Sequence, residues 1–207
     1  MPQKLEIAPG AVYYPAYLDV EAQRALLQDL RKVIAAAPLY RPRMPRSGKE
    51  FSVRMTNCGP LGWVSDVAGY RYQPTHPETG EPWPAIPDAL IGAWRALSGL
   101  AHDPEACLVN HYVEGTKLGL HQDRDEEELA APVVSLSLGD SAIFRFGGAT
   151  RKGPTRQLKL ESGDAFVFGG PARLAFHGID RVLSGTSTLL GEGGRFNLTM
   201  RRVTRFG

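Results

Sequence analysis

A histidine and a carboxylate two residues apart are the first candidates for chemistry. The stretch LHQDRDE, residues 120–126, sets His121, Asp123 and Asp125 at alternate positions. On an extended chain, side chains two apart share a face. His121 and Asp123 would then aim an imidazole and a carboxylate at one point, as paired metal ligands do. The same spacing also suits a hydrogen-bonded loop pair. Two ligands hold a metal poorly, so a third must come from elsewhere. Of the five histidines, His76 lies in a proline-rich loop (QPTHPETG), His102 in an acidic turn (AHDPE), and His111 points away from Asn110 and Tyr112. His177 ends the apolar run RLAFH and is the best third ligand.

Two histidines and one carboxylate make the facial triad that non-haem Fe(II) oxygenases use, with positions left open for substrate and O2. Zinc would suit the same ligands. The run RFNLTMR adds a second signal. Arg195, Asn197, Thr199 and Arg201 alternate with Phe196, Leu198 and Met200. If the polar face points inward, its two guanidiniums need anionic partners, because buried unpaired charge is costly. A dicarboxylate fits that need, since arginine grips carboxylates as a two-pronged fork. Asn110 and Tyr112 share one face of their own run and can reach the same anion. The alternative is an edge strand with its polar face in water.

These residues must be positioned by a β-rich half. From Cys107 onward, eight short runs of β-branched and aromatic residues recur between turns: CLVNHYV, VVSLSL, SAIFRF, RQLKLE, DAFVFG, RLAFH, STLL and RFNLTMR. Such spacing predicts an antiparallel sandwich or barrel, jelly rolls included. Ahead of it, residues 19–37 predict a helix, with Leu26, Leu27, Leu30, Val33 and Ile34 at helical spacing, Asp19 as its cap and Pro38 as its stop. A loop is expected over 40–50, a strand over 51–57 and a second helix within 87–100. The fold class is therefore α+β, helices first and a β-core after.

The chain has 207 residues and a net charge of +2, enough for one domain with a sizeable core and no demand for a polyanion. The segment MPQKLEIAPG lacks the apolar core of a signal peptide, and no apolar run nears the ~20 residues of a membrane helix. The expected location is the cytoplasm, away from membranes, with Cys58 and Cys107 as reduced thiols.

Taken together, HQDRDE, RLAFHG and RFNLTMR resemble the AlkB family of Fe(II)- and 2-oxoglutarate-dependent dioxygenases, whose pattern is HxD, a distant H, then RxNxTxR. MTNCGPLGW, GYRY, PWPAIP, CLVNHYVEGTKLGLHQD, APVVSLSLG, AIFRFGG and GDAFVFGG resemble further segments of the bacterial enzymes, so the likeness runs from about residue 51 to 202. The resemblance implies a double-stranded β-helix (jelly-roll) core over residues 106–207. It implies an N-terminal helical extension and nucleotide-recognition lid over 1–105, in one domain. It carries over His121, Asp123 and His177 as iron ligands, and Asn110, Tyr112, Arg195, Asn197 and Arg201 as the 2-oxoglutarate site. Trp63, Tyr70 and Tyr72 match lid positions, and Asp125 and Arg151 match residues near the damaged base. The implied reaction uses Fe(II), 2-oxoglutarate and O2 to demethylate bases such as 1-methyladenine and 3-methylcytosine. The implied partner is alkylated single- or double-stranded DNA, with RNA as a further candidate, and the implied state is a monomer. The competing readings are a dioxygenase with the same core acting on a protein or small molecule, and a non-catalytic metal-binding β-barrel.

Overall fold

The computed structural model describes residues 3–206. Two helices lie in the first half. Helix α1 spans Val20–Ala36, and the Asp19 carboxylate caps it by accepting from the Ala22 amide at 2.8 Å. Helix α2 spans Asp88–Ser98 and ends at Gly99, which adopts the left-handed conformation (φ 72°) that glycine tolerates.

Thirteen strands follow the chain: β1 (Leu5–Ala8), β2 (Ala11–Tyr14), β3 (Arg54–Cys58), β4 (Gly62–Asp66), β5 (Gly69–Gln73), β6 (Ala106–Tyr112), β7 (Leu118–His121), β8 (Val133–Gly139), β9 (Ser141–Gly147), β10 (Thr155–Leu160), β11 (Ala165–Phe168), β12 (His177–Leu183) and β13 (Arg195–Arg201). A seven-stranded sheet runs β1-β2-β11-β8-β13-β6-β3, and a four-stranded sheet runs β10-β9-β12-β7. Every named pair in them is antiparallel. The two sheets face each other as a jelly roll. The pair β4–β5 stands apart as a hairpin.

Strand alternation sorts side chains into two cores. Phe196, Leu198 and Met200 of β13, with Cys107 and Val109 of β6, pack against the helix side, where Leu26, Leu30, Leu90 and Trp94 lie. Their alternate neighbours face the other sheet, and between the two Phe144 and Phe146 of β9 cluster with Phe166 and Phe168 of β11. The polar face of RFNLTMR thus points between the sheets, and β13 is an interior strand rather than an edge.

Several expectations shift. The run RLAFH is not a strand. A 3-10 turn at Gly170–Ala172 leads into it, and the strand begins at His177 and continues to Leu183. STLL is not a strand either, because the Asp140 carboxylate captures the Thr186, Ser187 and Gly194 amides and folds that segment into a loop. LGLH, unmarked beforehand, supplies β7. The strand expected over 51–57 starts at Arg54, since Arg41 donates to the carbonyls of Phe51 and Ser52 and holds them out of the ladder. The major sheet also crosses residue 105, since β2 pairs with β11 and β3 with β6.

Candidate active site

His121 ends β7 and His177 begins β12, and the two are directly paired across the antiparallel ladder. Cross-strand partners on one face are close neighbours; here the rings lie 4.4 Å apart between centroids. Asp123, two residues past the strand end, completes the cluster. His121 Nε2 and His177 Nε2 each stand 3.8 Å from one of its carboxylate oxygens. One ligand atom from each residue fits within 4.8 Å of the others, the donor set and spacing of a two-histidine, one-carboxylate metal site.

Both imidazoles are pre-set as ligands. His121 Nδ1 donates to the Gly119 carbonyl and His177 Nδ1 to the Ala175 carbonyl, each at 2.9 Å. That tautomer leaves each Nε2 lone pair free for a metal. Burial, and the charge of His121 next to it, pull His177 down to about 4, so it stays neutral at ordinary pH. Burial alone would raise the Asp123 carboxyl, but Arg201 and the two histidines outweigh it and hold it well below the usual carboxylate range.

The polar face of β13 splits into two unlike arginines. Arg201 is already paired, bonding Asp123 Oδ2 at 2.7 and 3.0 Å and lying 3.3 Å from Glu126. Arg195 is fully buried, and its guanidinium meets only the Asp140 and Leu160 carbonyls and the Ser137 hydroxyl. Burial pulls it down to about 10, and Tyr112, Asp164 and Asp140 offset that only in part. Asn197 is fixed by Ser135 and Thr199, and Tyr112, buried, lies opposite Arg195 across the β13–β6 pair. Three buried polar atoms in this region find no partner among the described residues: Asn110 Oδ1, Arg195 Nε and Arg201 Nη1. A small inner cavity of about 50 Å³ is lined by two of these three residues, Asn110 and Arg201, together with Tyr112, Asn197 and both histidines. These orphaned groups fit a small polar anion beside the metal.

Outside this cavity, a cleft of about 800 Å³ opens over His121 and Asp123. The hairpin β4–β5 roofs it with Trp63 and Tyr70, whose rings stack at 5.5 Å and 20°. Trp63 donates its indole N–H to Asp125 at 2.8 Å. Arg151 lines the same cleft, its guanidinium 5.9 Å from the Phe176 ring. Tyr72 sits on the hairpin but does not line the cleft; its hydroxyl turns inward and donates to Glu126. Sequence reasoning missed two buried residues, Glu126 and Arg173, which pair at 3.0 Å next to the cluster. Both looked like ordinary surface charge, Glu126 in the acidic run DEEE and Arg173 in a turn.

Residues 10–201 match the model of the 2OG-Fe(II) oxygenase superfamily. The chain is 52% identical to an alpha-ketoglutarate-dependent dioxygenase AlkB homolog of Caulobacter vibrioides, over 96% of this chain and 90% of that protein. It is 42% identical to the alpha-ketoglutarate-dependent dioxygenase AlkB of Escherichia coli, over 98% of this chain and 94% of that protein. The solved structure of OsALKBH1 superposes with a TM-score of 0.80 at 32% identity, covering 97% of this chain and 100% of that one. The likeness therefore reaches far N-terminal of residue 51. A cluster of metal-ligand side chains, an anion-sized polar pocket and near-complete alignment agree, and the chain belongs to the AlkB family of Fe(II)- and 2-oxoglutarate-dependent dioxygenases.

Proposed function

We propose that this enzyme removes alkyl groups from the nitrogens of damaged bases in DNA, with RNA as a second polymer, and so repairs alkylation by direct reversal. The observation that carries this reading is the cleft itself. Its floor holds His121 and Asp123, its roof is a stacked tryptophan–tyrosine pair, and its wall carries an exposed carboxylate. That is a receptacle for a flat, cationic ring taken out of its stack. Relatives named DNA N(6)-methyladenine demethylase in Arabidopsis thaliana and tRNA demethylase in Schizosaccharomyces pombe support a nucleic-acid substrate.

In this reading His121, Asp123 and His177 hold Fe(II). Arg195, Arg201, Asn197, Asn110 and Tyr112 hold 2-oxoglutarate, with Arg201 at the metal end because it bonds Asp123. With O2, iron and 2-oxoglutarate held there would supply the oxidising chemistry for N-demethylation, with succinate, CO2 and formaldehyde as the products. The protein positions, neutralises and excludes water. Flipping a base costs a few kcal/mol, less for a damaged one. Stacking on Trp63 and Tyr70 offsets about 1–3 kcal/mol of it. Asp125 exchanges its indole partner for the charged edge of 1-methyladenine or 3-methylcytosine, and Arg151 closes the cleft from the other wall. Arg41, Lys49, Lys117 and Arg124 rim the cleft and offer phosphate contacts. Among the described residues no helix is long and apolar enough to cross a membrane; the reading places a monomer in the cytoplasm.

The test is a single-stranded oligonucleotide carrying one 1-methyladenine, incubated with protein, Fe(II), 2-oxoglutarate and ascorbate. Loss of the methyl group by mass, dependent on both iron and 2-oxoglutarate, is the expected result. Succinate release without any demethylation of single- or double-stranded DNA or RNA would move the substrate elsewhere, to a protein or small molecule.

A further inference from the structure

The residues around Glu126 form a closed ring that begins and ends on Asp123. Arg173 Nη1 donates to the Asp123 backbone carbonyl at 2.5 Å, and its Nη2 pairs with Glu126 at 3.0 Å. The other Glu126 oxygen lies 3.3 Å from Arg201 Nε, and Arg201 returns to the Asp123 carboxylate at 2.7 Å. Arg173 Nε also holds the Ala131 carbonyl at 2.8 Å. Asp123, Glu126, Arg173 and Arg201 are all buried, two carboxylates against two guanidiniums. One outside group enters the ring: the hydroxyl of Tyr72, from β5 of the hairpin, which donates to Glu126.

A pair of buried arginines sharing one carboxylate is more than filling. Buried ion pairs contribute little net stability, and apolar residues of equal volume would do as well or better. What the ring does achieve is geometric. It fixes one residue by both its main chain and its side chain, and ties the hairpin to the same carboxylate. We infer that Glu126 and Arg173 are positioning residues that set the Asp123 ligand, and that Tyr72 links closure of the lid hairpin to the filled metal site. The inference rests on the reading of Asp123 as an iron ligand. Linkage then requires the reciprocal effect: if metal favours the closed hairpin, the closed hairpin favours metal by the same factor.

Anaerobic Co(II), added with 2-oxoglutarate, reports the site without turnover. Its binding is followed by the Co(II) absorption spectrum, and hydrogen exchange of the amides in residues 62–73 is followed with and without it. In the natural protein, loading is expected to slow exchange in the hairpin. Glu126→Gln should weaken Co(II) binding by about 10- to 100-fold, the usual effect of losing an outer-shell partner, and alter the spectrum. Tyr72→Phe loses one hydroxyl and keeps the packing; its hairpin should exchange at nearly the same rate loaded or empty, with Co(II) binding weakened several-fold. A role limited to holding the fold would lower the unfolding midpoint and leave the affinity and spectrum of folded protein unchanged. The inference is overturned if Glu126→Gln binds Co(II) like the natural protein and Tyr72→Phe keeps its loading-dependent protection. If the natural protein binds no Co(II), the metal site itself is wrong and the inference falls with it.

Discussion

The two arginines of β13 show how far side-chain identity alone can mislead. RFNLTMR advertises two equivalent guanidiniums on one face, and both were expected to seek an anion. Arg201 has its counter-charges already, in Asp123 and Glu126. Among the described residues Arg195 bonds only carbonyls and a hydroxyl, and Asp164 and Asp140 act on it without an ion pair. Their substitution by methionine should therefore have opposite effects on the metal-free protein. Arg195→Met removes a buried charge that has no direct ion pair, so thermal stability should hold or rise. Arg201→Met strips the buried Asp123 carboxylate of its guanidinium, while Glu126 keeps Arg173, and should destabilise by roughly 3–5 kcal/mol. Binding of 2-oxoglutarate should fall roughly 10- to 100-fold in Arg195→Met, the range for a lost charge-assisted bond. Thermal unfolding and a 2-oxoglutarate titration check both halves; tight cosubstrate binding by Arg195→Met would dismiss the pocket. The HxD pair was legible from spacing, while its third ligand, His177, came by elimination among the histidines and by the family resemblance. Glu126 and Arg173 were not legible, because only the folded chain brings an acidic run and a turn against the same aspartate.

At the level of elements, the strongly patterned runs were legible and the weakly patterned ones were not. Helix α1 carries five apolar residues at helical spacing and a capping aspartate, and it formed as expected. Strands β1 and β2 are four residues each and partly exposed, and β2 gains its other partner from β11, some 150 residues away. No local pattern can announce such a strand. The hairpin β4–β5 is held near its start by a neighbouring buried amide. Asn57, fully buried on β3, bonds both the Trp63 amide and the Trp63 carbonyl, each at 3.0 Å. Gly62 lets this happen, since a Cβ there would lie 2.4 Å from the Trp83 indole nitrogen. Asn57→Ala removes two hydrogen bonds worth about 1 kcal/mol each and should raise the KM for a methylated oligonucleotide by roughly 30-fold. The KM for 2-oxoglutarate should stay within about twofold, because β13 is untouched. Steady-state kinetics on both substrates checks this; an equal rise in both constants would mean that Asn57 supports the whole site and not the lid.

Across the whole molecule, the jelly roll encloses histidines that resist protonation. Burial is the main cause at both His177 and His111, with Arg54 adding to it at His111 and the neighbouring His121 at His177, and each is lowered to about 4 from an ordinary 6.5. The unfolded chain takes up these protons as pH falls through 6.5, while the folded chain refuses them until about 4. Stability is thus unaffected above 6.5 and declines steadily between 6.5 and 4. Asp123 adds nothing in that window. Its carboxyl is held below the usual range, so its contribution persists until pH drops under the ordinary carboxylate value. In urea, metal-free protein should show an unfolding midpoint that falls from pH 7.5 to 6 and again to 5. His111→Gln should flatten part of that slope without touching a metal ligand, since His111 faces Arg54 and Phe196 on the far side of β6. A midpoint independent of pH over this range would mean that both rings ionise freely in the fold. The architecture that makes His177 a neutral ligand ready for a metal would then need another explanation, because the same burial lowers its affinity for a proton and frees its Nε2 for iron.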